Sequence, residues 1–124
     1  MHKTTRGFRF GRDRRLKTRR AFSRVFAARC AVSDDRLVVH ACRNDGEAMR
    51  LGVVVNRRFG KAVKRNRFKR LVREAFRLNQ ENWPAGCDVV VRPRPEASRA
   101  GLDELAASLG RLIPQAVARL MDRT

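Results

Sequence analysis

The side chains able to do covalent or metal chemistry are few and badly placed for it. Cys30, Cys42 and Cys87 stand 12 and 45 residues apart, so no closely spaced thiolate pair is available to zinc. Three free thiols suit a reducing cytosol. The only imidazoles are His2 and His40. Cys42 lies two residues from His40, on the same face of any strand that holds both, but no helix N-terminus or other feature activates its thiol as a nucleophile. A magnesium-dependent nuclease needs converging carboxylates. The local acidic groups, Asp34-Asp35 and Asp45 with Glu47, fall in expected loops or turns, where solvated acids are the rule. No Gly-rich phosphate loop, serine triad or carboxylate pair is present. These residues offer binding rather than chemistry; no catalytic side chain and no protein-bound metal is expected.

The binding capacity lies in the cations. The chain of 124 residues has 30 Lys or Arg against 12 Asp or Glu, a formal net charge of +18, and a hydrophobic fraction of 43%. That fraction is enough for one cored domain, since a chain of this size buries roughly two-thirds of its unfolded surface. Residues 1–29 hold 11 Lys/Arg and one acid, and residues 57–77 hold 10 Lys/Arg and one acid; everything else nets −1. Charge gathered into two segments is the footprint of a polyanion. Solubility alone does not require such self-repulsion, and a membrane-surface helix needs an apolar face free to enter lipid. Nucleic acid is the leading partner. Arg outnumbers Lys 25 to 5, which suits phosphate and base stacking but also follows from codon bias. No apolar run is long enough to span a bilayer and no signal-peptide core is visible, so a cytoplasmic location and no membrane partner are expected.

The elements that must carry these cations can be placed coarsely. Residues 1–15 mix Gly with Arg, lack periodicity and read as a flexible basic arm ahead of a single domain, 16–124. Thr18 suits an N-cap, with Phe22, Val25 and Phe26 striping a short helix that ends near Arg29. Arg36–Cys42 and Arg50–Val55 read as strands joined by the turn signal Asn44-Asp45-Gly46-Glu47, a hairpin. A basic helix follows from about Val63 to Leu78, then a strand at Cys87–Val91 stopped by Pro93-Arg94-Pro95. The last helix, Leu102–Leu120, carries Pro114 inside it, where a kink or break is expected. The order is α-β-β-α-β-α, helices packed on a small sheet.

At 100° per residue, Phe68, Leu71, Val72, Ala75 and Phe76 of the basic helix span about 140° of arc. Asn66, Lys69, Arg70, Arg73 and Arg77 take the other side, bordered by Arg67 and Glu74. Lys64 and Arg65 fall on the apolar side by angle, but in the first turn, where long side chains reach solvent. One face is for the sheet and the other for phosphates, whose neutralisation releases counterions. By periodicity alone, many RNA-binding helices and calmodulin targets match this pattern.

The residues are more specific than their periodicity. Arg57-Arg58-Phe59-Gly60-Lys61-Ala62-Val63-Lys64-Arg65-Asn66-Arg67-Phe68-Lys69-Arg70 closely resembles the signature of the protein subunit of bacterial ribonuclease P: a Gly, a short spacer, Ala-Val, then Arg-Asn-Arg and Lys-Arg on a helix. The resemblance extends over roughly residues 14–113, through Leu16-Lys17, Phe22, Phe26, Leu51–Val55 and Val89–Pro93. It implies a two-layer α+β sandwich, α-β-β-(β)-α-β-α, like one domain of a small-subunit ribosomal protein. Its β-α-β crossover would be left-handed, against the usual rule, and the bracketed short strand has no evident place in this chain.

By position, the resemblance assigns Arg65, Asn66, Arg67, Lys69, Arg70 and Arg73 to the catalytic RNA subunit. It assigns Phe22, Phe26 and His40 to a cleft for the single-stranded 5′ leader of precursor tRNA. Arg65 rests on the resemblance alone. Relatives often have Tyr where this chain has His40, which stacks over less area; His40 reads equally well as a half-buried strand histidine, and Phe22 and Phe26 as core. Lys61 and Lys64 replace uncharged side chains of some relatives. The implied function is tRNA 5′ maturation by a ribonucleoprotein endonuclease whose RNA supplies catalysis and holds the Mg2+. The cationic surfaces would lower repulsion between RNA and leader. The alternatives are a non-catalytic RNA-binding module, such as a small ribosomal protein or RNA chaperone, and a protein-only nuclease.

Overall fold

The computed structural model describes residues 14–46 and 48–123. The elements run α1 (Arg19–Ala27), β1 (Ala31–Ser33), β2 (Leu37–Arg43), β3 (Arg50–Val53), α2 (Ala62–Leu78), β4 (Cys87–Pro93) and α3 (Leu102–Met121). Thr18 starts α1, its hydroxyl accepting from the Ala21 amide at 3.1 Å. Arg29, at φ 52°, turns the chain out of that helix. Glu104 accepts from the Gly101 amide at 2.8 Å and, with Asp103, sets negative charge in the first turn of α3. That helix runs unbroken through Pro114. The hydrogen bond lost there belongs to Gly110, and both residues are exposed, so water can replace it.

The sheet order is β1-β2-β4-β3. β2 pairs antiparallel with β4, and β3 pairs parallel with β4 through the α2 crossover. The expected hairpin between Arg36–Cys42 and Arg50–Val55 is therefore absent. The Asn44-Asp45-Gly46 turn reverses the chain but leaves β4 between the two strands. Asp88 of β4 fixes this arrangement: its carboxylate accepts from Asn44 at 2.8 Å and from Arg50 at 2.9 and 2.8 Å. The true hairpin is one step earlier, where β1 pairs with β2 around Asp34. Asp34 is no solvated acid: it accepts from the Arg36 and Leu37 amides and pairs with Arg111 of α3 at 2.7 Å. Burial alone would raise its pKa, but those hydrogen bonds outweigh it and hold the pKa below the ordinary carboxylate value. β1 is the short strand that the resemblance left unplaced, giving α-β-β-β-α-β-α.

One sheet face carries Leu37, Val39, Ala41, Leu51, Val89 and Val91 into the main core against α2 and α3. The opposite face carries a smaller cluster, Leu16, Val25, Cys42 and Val90, under α1. α1 covers only part of that face, and what it leaves uncovered is the cleft.

The expected arm, residues 1–15, lies outside the described residues except for Arg14 and Arg15. Arg15 bridges to Leu51, and the Leu16 amide donates to the Leu51 carbonyl at 3.0 Å.

Candidate RNA-binding surfaces

The sheet-facing stripe of α2 is buried: Phe68, Val72, Ala75 and Phe76. The opposite side brings several of the predicted RNA-subunit residues to solvent. Asn66 and Arg70 are exposed, Lys69 and Arg73 half-buried. Burial, and then the charge of Arg15, lowers the Arg73 pKa. Arg15, on the edge of β3, thus lies within electrostatic reach of α2, and the two basic segments meet on the folded surface.

Other predicted members have work inside the fold. Arg65 is half-buried and donates to the Gly60 carbonyl at 2.7 Å, closing the basic loop onto the helix. Arg67 is exposed like Asn66 and Arg70, and its guanidinium also reaches the Ala100 carbonyl at 3.4 Å, tying α2 to the start of α3. Arg77 forms a two-pronged pair with Glu74 at 3.1 and 2.6 Å, which raises the arginine pKa and lowers that of the acid. Part of the segment's charge is therefore engaged in contacts within the fold.

The second surface is the uncovered sheet face. Phe22 lies over Gly52: a Cβ there would meet the Phe22 ring at 2.4 Å, so the missing side chain lets α1 approach β3. Phe26 is 37% exposed, unusual for a ring that is not merely core. It meets His40 edge-on, with centroids 4.7 Å apart. His40 accepts from Arg92 Nε at 3.0 Å; burial and then that positive charge hold its pKa below the ordinary value. The three predicted cleft residues thus lie on one side of the sheet, with Phe26 and His40 in contact over β2 and Phe22 against β3, on the far side of β4.

Sequence reasoning missed Arg92. The signal was available: Val90 is the register partner of His40, so Arg92 is its diagonal neighbour. Beyond Arg92 the face opens into a concavity of ~370 Å³ lined by Val54, Arg58, Phe59, Lys64, Arg92 and Pro95, among others. Lys64 Nζ stands 5.5 Å from the centre of the Phe59 ring. The cleft and the basic loop before α2 are therefore one continuous surface.

Burial raises the pKa of Cys42 and Cys87, which disfavours thiolate. Among the described residues, no three His, Cys, Asp or Glu side chains come together as metal ligands. Asp34 and Asp88 are occupied by structural hydrogen bonds. No helix among the described residues is long and apolar enough to cross a membrane.

The comparisons agree with this geometry. The family model described as Ribonuclease P matches residues 10–117. The chain belongs to the ribonuclease P protein family. It is 44% identical over 89 residues to the ribonuclease P protein component of Thermotoga maritima, covering 72% of this chain and 76% of that one. With the component from Ectopseudomonas mendocina it shares 41% over 105 residues, 83% of this chain and 78% of the relative. Among solved structures, the ribonuclease P protein of Thermotoga maritima superposes with a TM-score of 0.75 at 38% identity, covering 82% of this chain and 96% of that one. The Staphylococcus aureus protein gives 0.73 at 29% identity, covering 83% and 94%. The four-stranded mixed sheet with three helices is the α+β fold of this family. The ribonuclease P protein component is part of an endoribonuclease complex that processes tRNA.

Proposed function

We propose that this protein docks on the RNA subunit of ribonuclease P through the exposed side of α2 and holds the 5′ leader of precursor tRNA in the cleft between α1 and the sheet. The observation that carries this reading is the juxtaposition of a helix face bearing exposed Asn66 and Arg70 and half-buried Lys69 and Arg73 with a cleft built from Phe22, Phe26 and His40. Cations on α2 neutralise phosphate and release counterions. Aromatic rings in the cleft give unstacked bases a surface. Catalysis then belongs to the RNA, as does the Mg2+, a reading supported by the lack of any cluster of three metal-ligating side chains among the described residues. The protein's contribution is substrate affinity and relief of repulsion between RNA and leader in the cytoplasm.

Reconstitution with a cognate RNA subunit at low Mg2+ tests this. The expected result is stimulated cleavage of precursor tRNA at the 5′ end of the mature sequence. Absence of stimulation, or cleavage by protein stripped of RNA, contradicts it.

A further inference from the structure

Arg92 joins the two halves of the open sheet face. Its Nε donates to His40 Nε2 at 3.0 Å, a bond that requires a lone pair on Nε2 and therefore a neutral ring protonated at Nδ1. The lowered pKa of His40 favours that same neutral state. Arg92 also lines the concavity, and among the described residues no acceptor is hydrogen-bonded to its two terminal nitrogens. The guanidinium is thus fixed at one edge, and its outer fork is unused.

A planar fork takes two adjacent acceptors. On the same wall Lys64 offers only a point charge. The second guanidinium, that of the exposed Arg58, has no side-chain partner among the described residues to fix its plane as His40 fixes that of Arg92. Val54, Phe59, Pro93 and Pro95 provide apolar area that phosphate does not need but a base does. The ~370 Å³ volume accommodates a base with its sugar.

We propose that Arg92, held by His40, determines leader base preference at one position, selecting guanine or cytosine over adenine and uracil. Guanine offers O6 and N7 side by side, and cytosine O2 and N3. In adenine and uracil no two acceptors are adjacent, so the fork would face a donor or lose a partner. This rests on the leader-binding reading above.

The test uses holoenzyme reconstituted with its RNA subunit and a pool of precursor tRNAs with randomised leaders, sorted by competitive binding. The wild type is expected to favour guanine and cytosine at a single leader position by about tenfold. Arg92→Lys keeps the charge but not the fork, and should flatten that position while the pool as a whole still binds better than leaderless tRNA. His40→Leu removes the tether and should reduce the preference several-fold. A wild-type profile flat at every position, or a preference unchanged in Arg92→Lys, overturns the proposal and leaves the cleft reading standing. Equal binding of leader-bearing and leaderless tRNA by the wild type overturns both.

Discussion

The two surfaces hold their functional side chains in opposite ways. On α2, Asn66 and Arg70 project into solvent from a helix whose other side is locked into the core. In the cleft, Phe22 is pressed over Gly52, Phe26 meets His40, and His40 is hydrogen-bonded to Arg92. The first arrangement fixes where charge is displayed and leaves each side chain to find its phosphate. The second fixes the groups themselves. A surface of the first kind binds through charge and weakens with salt; one of the second kind binds through shape and is sensitive to small displacements.

The largest expected effect comes from removing the displayed charge. The combined Lys69→Ala, Arg70→Ala and Arg73→Ala variant should lose RNA-subunit affinity on the order of a hundredfold at physiological salt. Its log–log salt slope should become shallower by about two to three units. Filter binding across a salt series measures both, and an unchanged slope would place the RNA elsewhere.

Displacement in the cleft is tested by Gly52→Ala. The added methyl collides with Phe22, which should cost about 1–3 kcal/mol of stability and shift α1 off β3. Leader-dependent affinity should fall while the salt slope for the RNA subunit stays as in the wild type; denaturant melts and binding assays give the two readouts.

A smaller effect separates the surfaces by pH. His40 has a folded pKa below its unfolded value, first through burial and then through Arg92. The stability this contributes is complete above about pH 6.5. It declines as pH falls through the window between that value and the lower folded pKa. Phe26, packed on His40 from α1, carries no charge to offset this. Protonation also removes the acceptor for Arg92. Leader affinity should therefore weaken as pH falls through the lowered folded pKa of His40, beneath 6.5, whereas docking through the arginines of α2 should not. Parallel decline of both would deny His40 a separate role.

The legibility of the molecule followed the range of its interactions. α2 was readable because apolar periodicity and the Arg-Asn-Arg motif are local, and α3 because its stripe is long. The hairpin misreading came from trusting a local turn signal at Asn44-Asp45-Gly46 to choose a partner strand. The corrective signal lay in Val89-Val90-Val91: an unbroken apolar run marks a strand covered on both faces, and β4 lies inside the sheet, between β2 and β3. β1 is only three residues long, Ala-Val-Ser, too short for alternation to show. At the site, the resemblance assigned Phe22, Phe26 and His40 by position, and the contact between Phe26 and His40 depends on how α1 packs across β2, which no local pattern contains. The inward duties of Arg65 and Arg67 depend on carbonyls of Gly60 and Ala100, whose placement no helical wheel contains.

The central claim is that docking and leader recognition reside on different surfaces. It is tested most directly by the ratio of holoenzyme affinities for leader-bearing and leaderless tRNA, measured with Phe22→Ala and with the triple α2 variant at saturating RNA subunit. Phe22→Ala should lower the ratio by an amount worth about 1–3 kcal/mol, the loss of one base stack, and the α2 variant should leave it near the wild-type value. A ratio unchanged by Phe22→Ala, or lowered equally by both, would contradict the division.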